Sequence, residues 1–143
     1  MLVVEDSDED WDTVCVAARA GGFEQRLVRA AGSDACLALL RGGRAPHTPA
    51  LAPALVLLDL SLPGLDGRQL LLDIRHDAAT AALPVVVLTT SSNPRDVAAC
   101  YAGGANAYHA KPLRHDDHLG LLQRLFGYWL VDTVLPDVRQ EPR

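Results

Sequence analysis

Apolar positions along this chain follow two rhythms that take turns. Short unbroken runs, "LVV" (Leu2–Val4), "ALVLLDL" (54–60) and "PVVVLTT" (84–90), have the look of buried strands. "QRLVRA" (25–30) alternates in polarity, as a half-exposed edge strand does, and "NAYHAKP" (106–112) holds a short last strand. Between them the apolar spacing is helical. The first helix starts at Ser7 or Asp8, has an acidic first turn and stops at Gly21-Gly22. A second begins near Ser33 and ends at Gly42-Gly43. "GRQLLLDIRHD" (67–77) puts Leu70, Leu71 and Ile74 on one face. "NPRDVAACYAGG" (93–104) has Asn93 as cap and Pro94 in the first helical position. A last helix starts near His115–Asp117. "RAPHTPALAP" (44–53) is expected as a proline-rich surface loop, and "DVRQEPR" as a frayed tail.

Five strands alternating with five helices predict an α/β fold: a doubly wound, five-stranded parallel sheet of flavodoxin-like form, strand order 2-1-3-4-5. The 143 residues suit one ordinary domain. We expect it to span 1–124, with 125–143 as a C-terminal helix extension and arm. Such sheets carry their sites beyond the carboxyl ends of the strands. Polar residues that break the strand pattern should therefore collect there, and they do. Glu5 and Asp6 end the first strand, Asp59 the third, Thr89 and Thr90 the fourth, and Lys111 follows the fifth.

Each of these residues alone has a plain structural reading. Glu5 and Asp6 could enrich a helix N-terminus, Asp59 a turn, Thr89 a loop cap, and Lys111 a solvated surface. Their joint placement points to chemistry. Three carboxylates brought together repel one another unless a cation lies between them, and an all-oxygen set suits Mg²⁺. Lys111 adds a second positive charge. What completes such a site is an anion with spare oxygens, and a phosphoryl group fits: an aspartate can act as nucleophile, with Mg²⁺ and lysine neutralising the transferring oxygens.

Composition narrows the alternatives. The net charge of −5 and the absence of a basic cluster argue against a nucleic-acid binder. No apolar run reaches the roughly 18 residues of a membrane span, and the acidic start is unlike a secretory signal. A cytoplasmic protein is expected. Cys15, Cys36 and Cys100 lack metal or redox spacing and are expected to be small buried hydrophobes. His115 and His118 are expected at the surface. "EDSDED" after the first strand would repel a dinucleotide's pyrophosphate, where a glycine-rich loop is needed. A hydrolase of the haloacid-dehalogenase type would want an aspartate two residues after the nucleophile, where this chain has Ser61.

The blocks "VVEDS", "LVLLDLSLPGLDG", "PVVVLTTSS" and "AYHAKPL" resemble the signature blocks of response-regulator receiver domains of two-component signalling, in order and over essentially the whole chain. Thr89 follows Asp59 by 30 residues and Lys111 follows Thr89 by 22, intervals of one βα unit each. The resemblance implies Asp59 as phosphoacceptor. It implies Mg²⁺ held by Asp6 directly, by Glu5 through water, by Asp59 and by the backbone carbonyl of Ser61. Thr89 would bind the phosphoryl oxygens, Lys111 would pair with them, and Tyr108 would be the switch aromatic, turning into space that Thr89 leaves. A receiver catalyses its own Mg²⁺-dependent phosphorylation and dephosphorylation without being a conventional enzyme. Two positions depart from the pattern. Glu5 stands where aspartate is common, and Thr90 stands where alanine or glycine is usual, close to the phosphoryl pocket. The rival reading is an interaction module with this fold that works without phosphorylation.

"HLGLLQRLFGYWLVDTVLP" (118–136) is too apolar for a helix that buries a single stripe. Leu122, Phe126 and Trp129 could line that stripe. The surplus either folds back onto its own domain or marks an interface, and we expect a homodimer through the last helix, using Phe126, Trp129, Leu130, Val131, Val134 and Leu135. "YWLVDTVLP", the long loop before the third strand and "VVVLTTSS" resemble the phytochrome-associated single-domain response regulators. That resemblance implies a phytochrome histidine kinase as partner. With no room for a DNA-binding domain before Arg143, output is expected by protein contact, by relay of phosphate to another histidine, or by draining phosphate from the kinase.

Overall fold

A computed structural model describes residues 1–42, 50–62 and 66–137. Most of the expected loop at 44–53, the Pro63-Gly64 turn and the tail beyond Asp137 lie outside the described residues. The strands are β1 (Leu2–Val4), β2 (Val28–Ala30), β3 (Val56–Leu58), β4 (Val85–Thr89) and β5 (Ala107–Ala110). The helices are α1 (Asp8–Ala20), α2 (Ser33–Arg41), α3 (Gly67–His76), α4 (Pro94–Ala102) and α5 (His115–Phe126). The sheet is parallel throughout, in the order β2-β1-β3-β4-β5.

Period-two alternation sorts the strand side chains onto two cores. Leu2, Val4, Val56, Leu58, Val85 and Val87 pack with Cys36, Leu70, Ile74 and Cys100 beneath α2, α3 and α4. Val3, Leu57, Val86 and Leu88 pack with Val14, Ala17, Leu122 and Phe126 beneath α1 and α5. Both faces of β1, β3 and β4 are thus covered, which is why those strands read as unbroken apolar runs. The caps follow the sequence signals. Ser7 Oγ accepts the Asp10 N–H, and Asn93 Oδ1 accepts that of Arg95. Asp66 Oδ1 takes the Arg68 N–H to start α3.

Four expectations change. The alternating segment 25–30 is only half strand: Glu24–Arg26 form a 3₁₀ turn and pairing begins at Val28. Cys36 and Cys100 are buried as expected but Cys15 is only half-buried. Burial pushes the Cys36 thiol up to about 12, so it stays protonated. The expected boundary at 124/125 falls inside α5, because Leu125 and Phe126 belong to the main core. Phe126 is spent on that core, edge-on to Phe23 at 6.2 Å between centroids, and leaves the expected interface set. Beyond it the chain widens into a π-helical turn, Gly127–Asp132. There Trp129 and Leu130, with Leu135 after it, pack partly against the α1/α5 core, while Tyr128, Val131 and Val134 are exposed.

Candidate phosphoryl and metal site

The site is the edge where β1, β3, β4 and β5 end. Glu5 sits one residue beyond β1, fixed by its N–H to the Ala30 carbonyl. Asp59 sits one residue beyond β3, its N–H on the Val4 carbonyl at 3.1 Å. Lys111 follows β5, its N–H on the Thr89 carbonyl. The ladders thus deliver these side chains to one place. Glu5, Asp6 and Asp59 each offer a carboxylate oxygen within 4.8 Å of the others. Glu5 and Asp59 are buried and Asp6 is exposed, so the cluster opens to water on the Asp6 side.

Lys111 organises the buried part. Its Nζ donates to Glu5 Oε2 at 2.8 Å, Asp10 Oδ2 at 2.7 Å and Asp59 Oδ2 at 2.9 Å. Burial disfavours its charge, but the hydrogen bonds to Asp10, Glu5 and Asp59 outweigh burial and raise its pKa above the ordinary lysine value. Burial raises the Glu5 carboxyl, and the hydrogen bond and charge of Lys111 pull it back only in part. The second oxygen of each carboxylate is used too: Glu5 Oε1 accepts from the Ser7 N–H and Asp59 Oδ1 from the Ser61 N–H.

The donor set fits a hard divalent cation. It is all oxygen, it carries excess negative charge over one lysine, and its exposed member leaves positions for water. Thr89 Oγ1 is fully buried with no hydrogen-bond partner among the described residues. A buried hydroxyl without a partner costs free energy, and an arriving oxyanion would remove that cost. Thr90, next to it, is exposed. Tyr108 is half-buried against the α2/α3/α4 core, its hydroxyl donating to the Ser91 carbonyl at 2.8 Å. Tyr108, expected to turn into space that Thr89 leaves, thus already packs partly inward with its hydroxyl held by the loop after β4.

Three residues here escaped the sequence reading. Asp10 lies four residues before Val14 on the inward stripe of α1. His118 lies four before Leu122 on that of α5 and is buried, not at the surface as expected. Helical spacing carried both signals, but their polar chemistry hid them. Arg29, on the edge strand, donates to the carbonyls of Glu5 (3.0 Å) and Asp6 (3.2 Å) and to Asp8 Oδ1 (2.8 Å), over the Trp11 ring. It braces the acidic turn.

His118 gives a pH prediction. Burial lowers its pKa below the usual 6.5, with Asp10 opposing and Lys111 and His115 reinforcing. A depressed histidine contributes stability that is present above the unfolded pKa and lost as pH falls through the folded one. Unfolding free energy should drop on acidification below about 6.5. His118→Gln should flatten that slope, leaving a remainder from His109, whose pKa burial also lowers. Urea midpoints measured down the acid range check this, and parallel slopes for variant and wild type contradict it.

The family profile of the response regulator receiver domain matches residues 1–123. Response regulator Rcp1 of Synechocystis sp. is 35% identical over 137 residues, covering 95% of this chain and 92% of its own. The Mn²⁺-bound form of Rcp1 superposes with a TM-score of 0.85 at 36% identity, over 94% of this chain and 96% of that one. The phosphorylated cyanobacterial phytochrome response regulator RcpA superposes with a TM-score of 0.88 at 30% identity, again over 94% and 96%. Among the described residues, no helix is long and apolar enough to cross a membrane.

Proposed function

Since this chain belongs to the response regulator receiver domain family, we propose that it takes a phosphoryl group onto Asp59 from the phosphohistidine of a partner kinase and thereby switches a protein-interaction face. The observation that carries this reading is the pairing of Lys111 Nζ with Asp59 Oδ2 beside the Glu5–Asp6–Asp59 cluster. An Asp59 oxygen attacks phosphorus, the phosphorus–nitrogen bond breaks, and the leaving imidazole takes the electron pair. Asp6, Asp59 and the Ser61 carbonyl would hold Mg²⁺, with Glu5 acting through water. When bound, Mg²⁺ neutralises charge on the transferring oxygens. Lys111 supplies the second neutralising charge and keeps Asp59 oriented. The Thr89 hydroxyl donates to a phosphoryl oxygen and loses its orphan status. Thr89 lies two residues before Ser91, so its movement reaches Tyr108 through the Ser91 carbonyl.

The kinase is a phytochrome histidine kinase in this reading, supported by the likeness to RcpA. Incubation with a phosphorylated kinase of that class tests it. Label should pass to the wild-type chain and not to Asp59→Asn. A kinase that keeps its label in the presence of the wild-type chain would contradict the partner.

The exposed apolar residues Tyr128, Val131 and Val134, with half-buried Trp129, Leu130 and Leu135, support a homodimer through the C-terminal segment. Light-scattering mass should show a dimer that Val131→Asp converts to monomer. Monomer in the wild type, with and without beryllofluoride and Mg²⁺, would sink this assembly.

A further inference from the structure

Lys111 is fully committed. An ammonium has three N–H bonds, and all three are spent on carboxylates. Two of those acceptors, Glu5 and Asp59, belong to the cation cluster. The third, Asp10, does not. It comes from the first turn of α1, and its side chain is 30% exposed where that of Lys111 is 5% exposed. His118 lines the same small cavity, together with Asp10 and Lys111. Burial keeps His118 neutral near pH 7, so it offers Asp10 no second positive charge.

Resting on the phosphoacceptor reading, we propose that Asp10 is a positioning residue that holds Lys111 by a charge-bearing hydrogen bond and competes with the phosphoryl oxygens for its ammonium. When Asp59 carries a phosphoryl group, the Lys111 donor now on Asp59 Oδ2 passes to a phosphoryl oxygen. Asp10 keeps its own share of the ammonium and leaves less positive charge for the phosphoryl group. Its negative charge also lies one side chain from the cation cluster. One fixed charge thus acts with opposite signs on the two ligands: it attracts Mg²⁺ and repels the phosphoryl group. The net effect is a cluster that gathers its metal readily and holds its phosphoryl group less tightly than it could.

The opposed signs separate this role from simple scaffolding. Asp10→Asn keeps a hydrogen-bond acceptor for Lys111 and removes the charge. The backbone N–H that donates to Ser7 Oγ is untouched. The readout is tryptophan fluorescence, since Trp11 lies next to Asp10 and under the Arg29 guanidinium that grips the acidic turn. Mg²⁺ alone is titrated first, then beryllofluoride at saturating Mg²⁺. For Asp10→Asn we expect Mg²⁺ to bind about fivefold more weakly and beryllofluoride about fivefold more tightly, the charge being partly screened at its exposed edge. Asp10→Glu, which restores the charge, should return both toward wild type. A variant in which both ligands weaken together, as when a prop is removed, overturns the inference, as does one in which neither changes. Those results leave the phosphoacceptor reading standing. A wild-type chain that binds neither Mg²⁺ nor beryllofluoride overturns that reading, and this inference with it.

Discussion

Lys111→Met should cost about 3–5 kcal/mol of folding stability near neutral pH, and Mg²⁺ should restore part of it. The ammonium is the shared counter-charge of Glu5, Asp10 and Asp59, at 2.7–2.9 Å from each. Methionine fills a similar volume but leaves two nearly buried carboxylates and one partly exposed carboxylate without it. Exposed ion pairs such as Arg19–Glu24 are worth little by comparison, because water replaces the partner. Here water has poor access, so the carboxylates must either take up protons or draw in a cation. Stability of the variant should rise on mild acidification, since burial already raises the Glu5 carboxyl. Mg²⁺ should stabilise the variant more than the wild type, since one positive charge has left the cluster and binding to the native state adds stability by mass action. Urea denaturation with and without Mg²⁺ gives both numbers. A variant as stable as wild type and indifferent to Mg²⁺ would mean that Lys111 does not balance these carboxylates.

Gly67→Ala is the second change with a large expected effect. Gly67 opens α3, directly after its cap Asp66. A Cβ there would lie 2.6 Å from the Asp59 carbonyl oxygen and 2.6 Å from the Leu60 Cα. Both are backbone atoms and cannot swing aside. Gly67 also donates its N–H to the Leu60 carbonyl, so helix and strand end are joined at this point. Relief must come from moving the start of α3 away from the end of β3, at about 1–3 kcal/mol for overpacking. The residue displaced with the strand end is Asp59. Phosphoryl uptake should therefore slow along with the loss of stability, though alanine adds no polar group to the site. Denaturation midpoints and the rate of acyl phosphate formation check the two effects. Wild-type values for both would contradict the close approach.

Much of this was readable from residue order. Strands buried on both faces announce themselves as unbroken runs, so β1, β3 and β4 were plain. A carboxylate ending such a run cannot be core, so Asp59 was visible as a site residue once Glu5, Asp6 and Lys111 were seen at matching strand ends. The misreadings have a common physical origin. A polar residue does not count toward a helix's apolar stripe, so His118 is expected at the surface and Asp10 is not singled out, although their spacing to Val14 and Leu122 places them inward. Asp10 is held inward by a partner from elsewhere in the fold, Lys111 from 101 residues away, while His118 Nε2 has no hydrogen-bond partner among the described residues. Alternation in 25–30 could not tell a 3₁₀ turn feeding a strand from the strand itself. At the C-terminus the surplus of apolar residues was real, but its division was not legible: Phe126 turns into the core and Val131 away from it, because the backbone widens into a π-helical turn between them.

In the proposed function Asp59 is a phosphoacceptor made competent by the carboxylates and lysine around it. Incubation of the wild-type chain with acetyl phosphate and Mg²⁺, followed by intact mass and peptide mapping under acidic conditions, tests it most directly. A single added phosphoryl group is expected, mapped to Asp59, lost on alkaline treatment, and absent when Mg²⁺ is chelated. A chain that gains no phosphoryl group under these conditions, or gains it at another residue, would mean that Asp59 is not the phosphoacceptor.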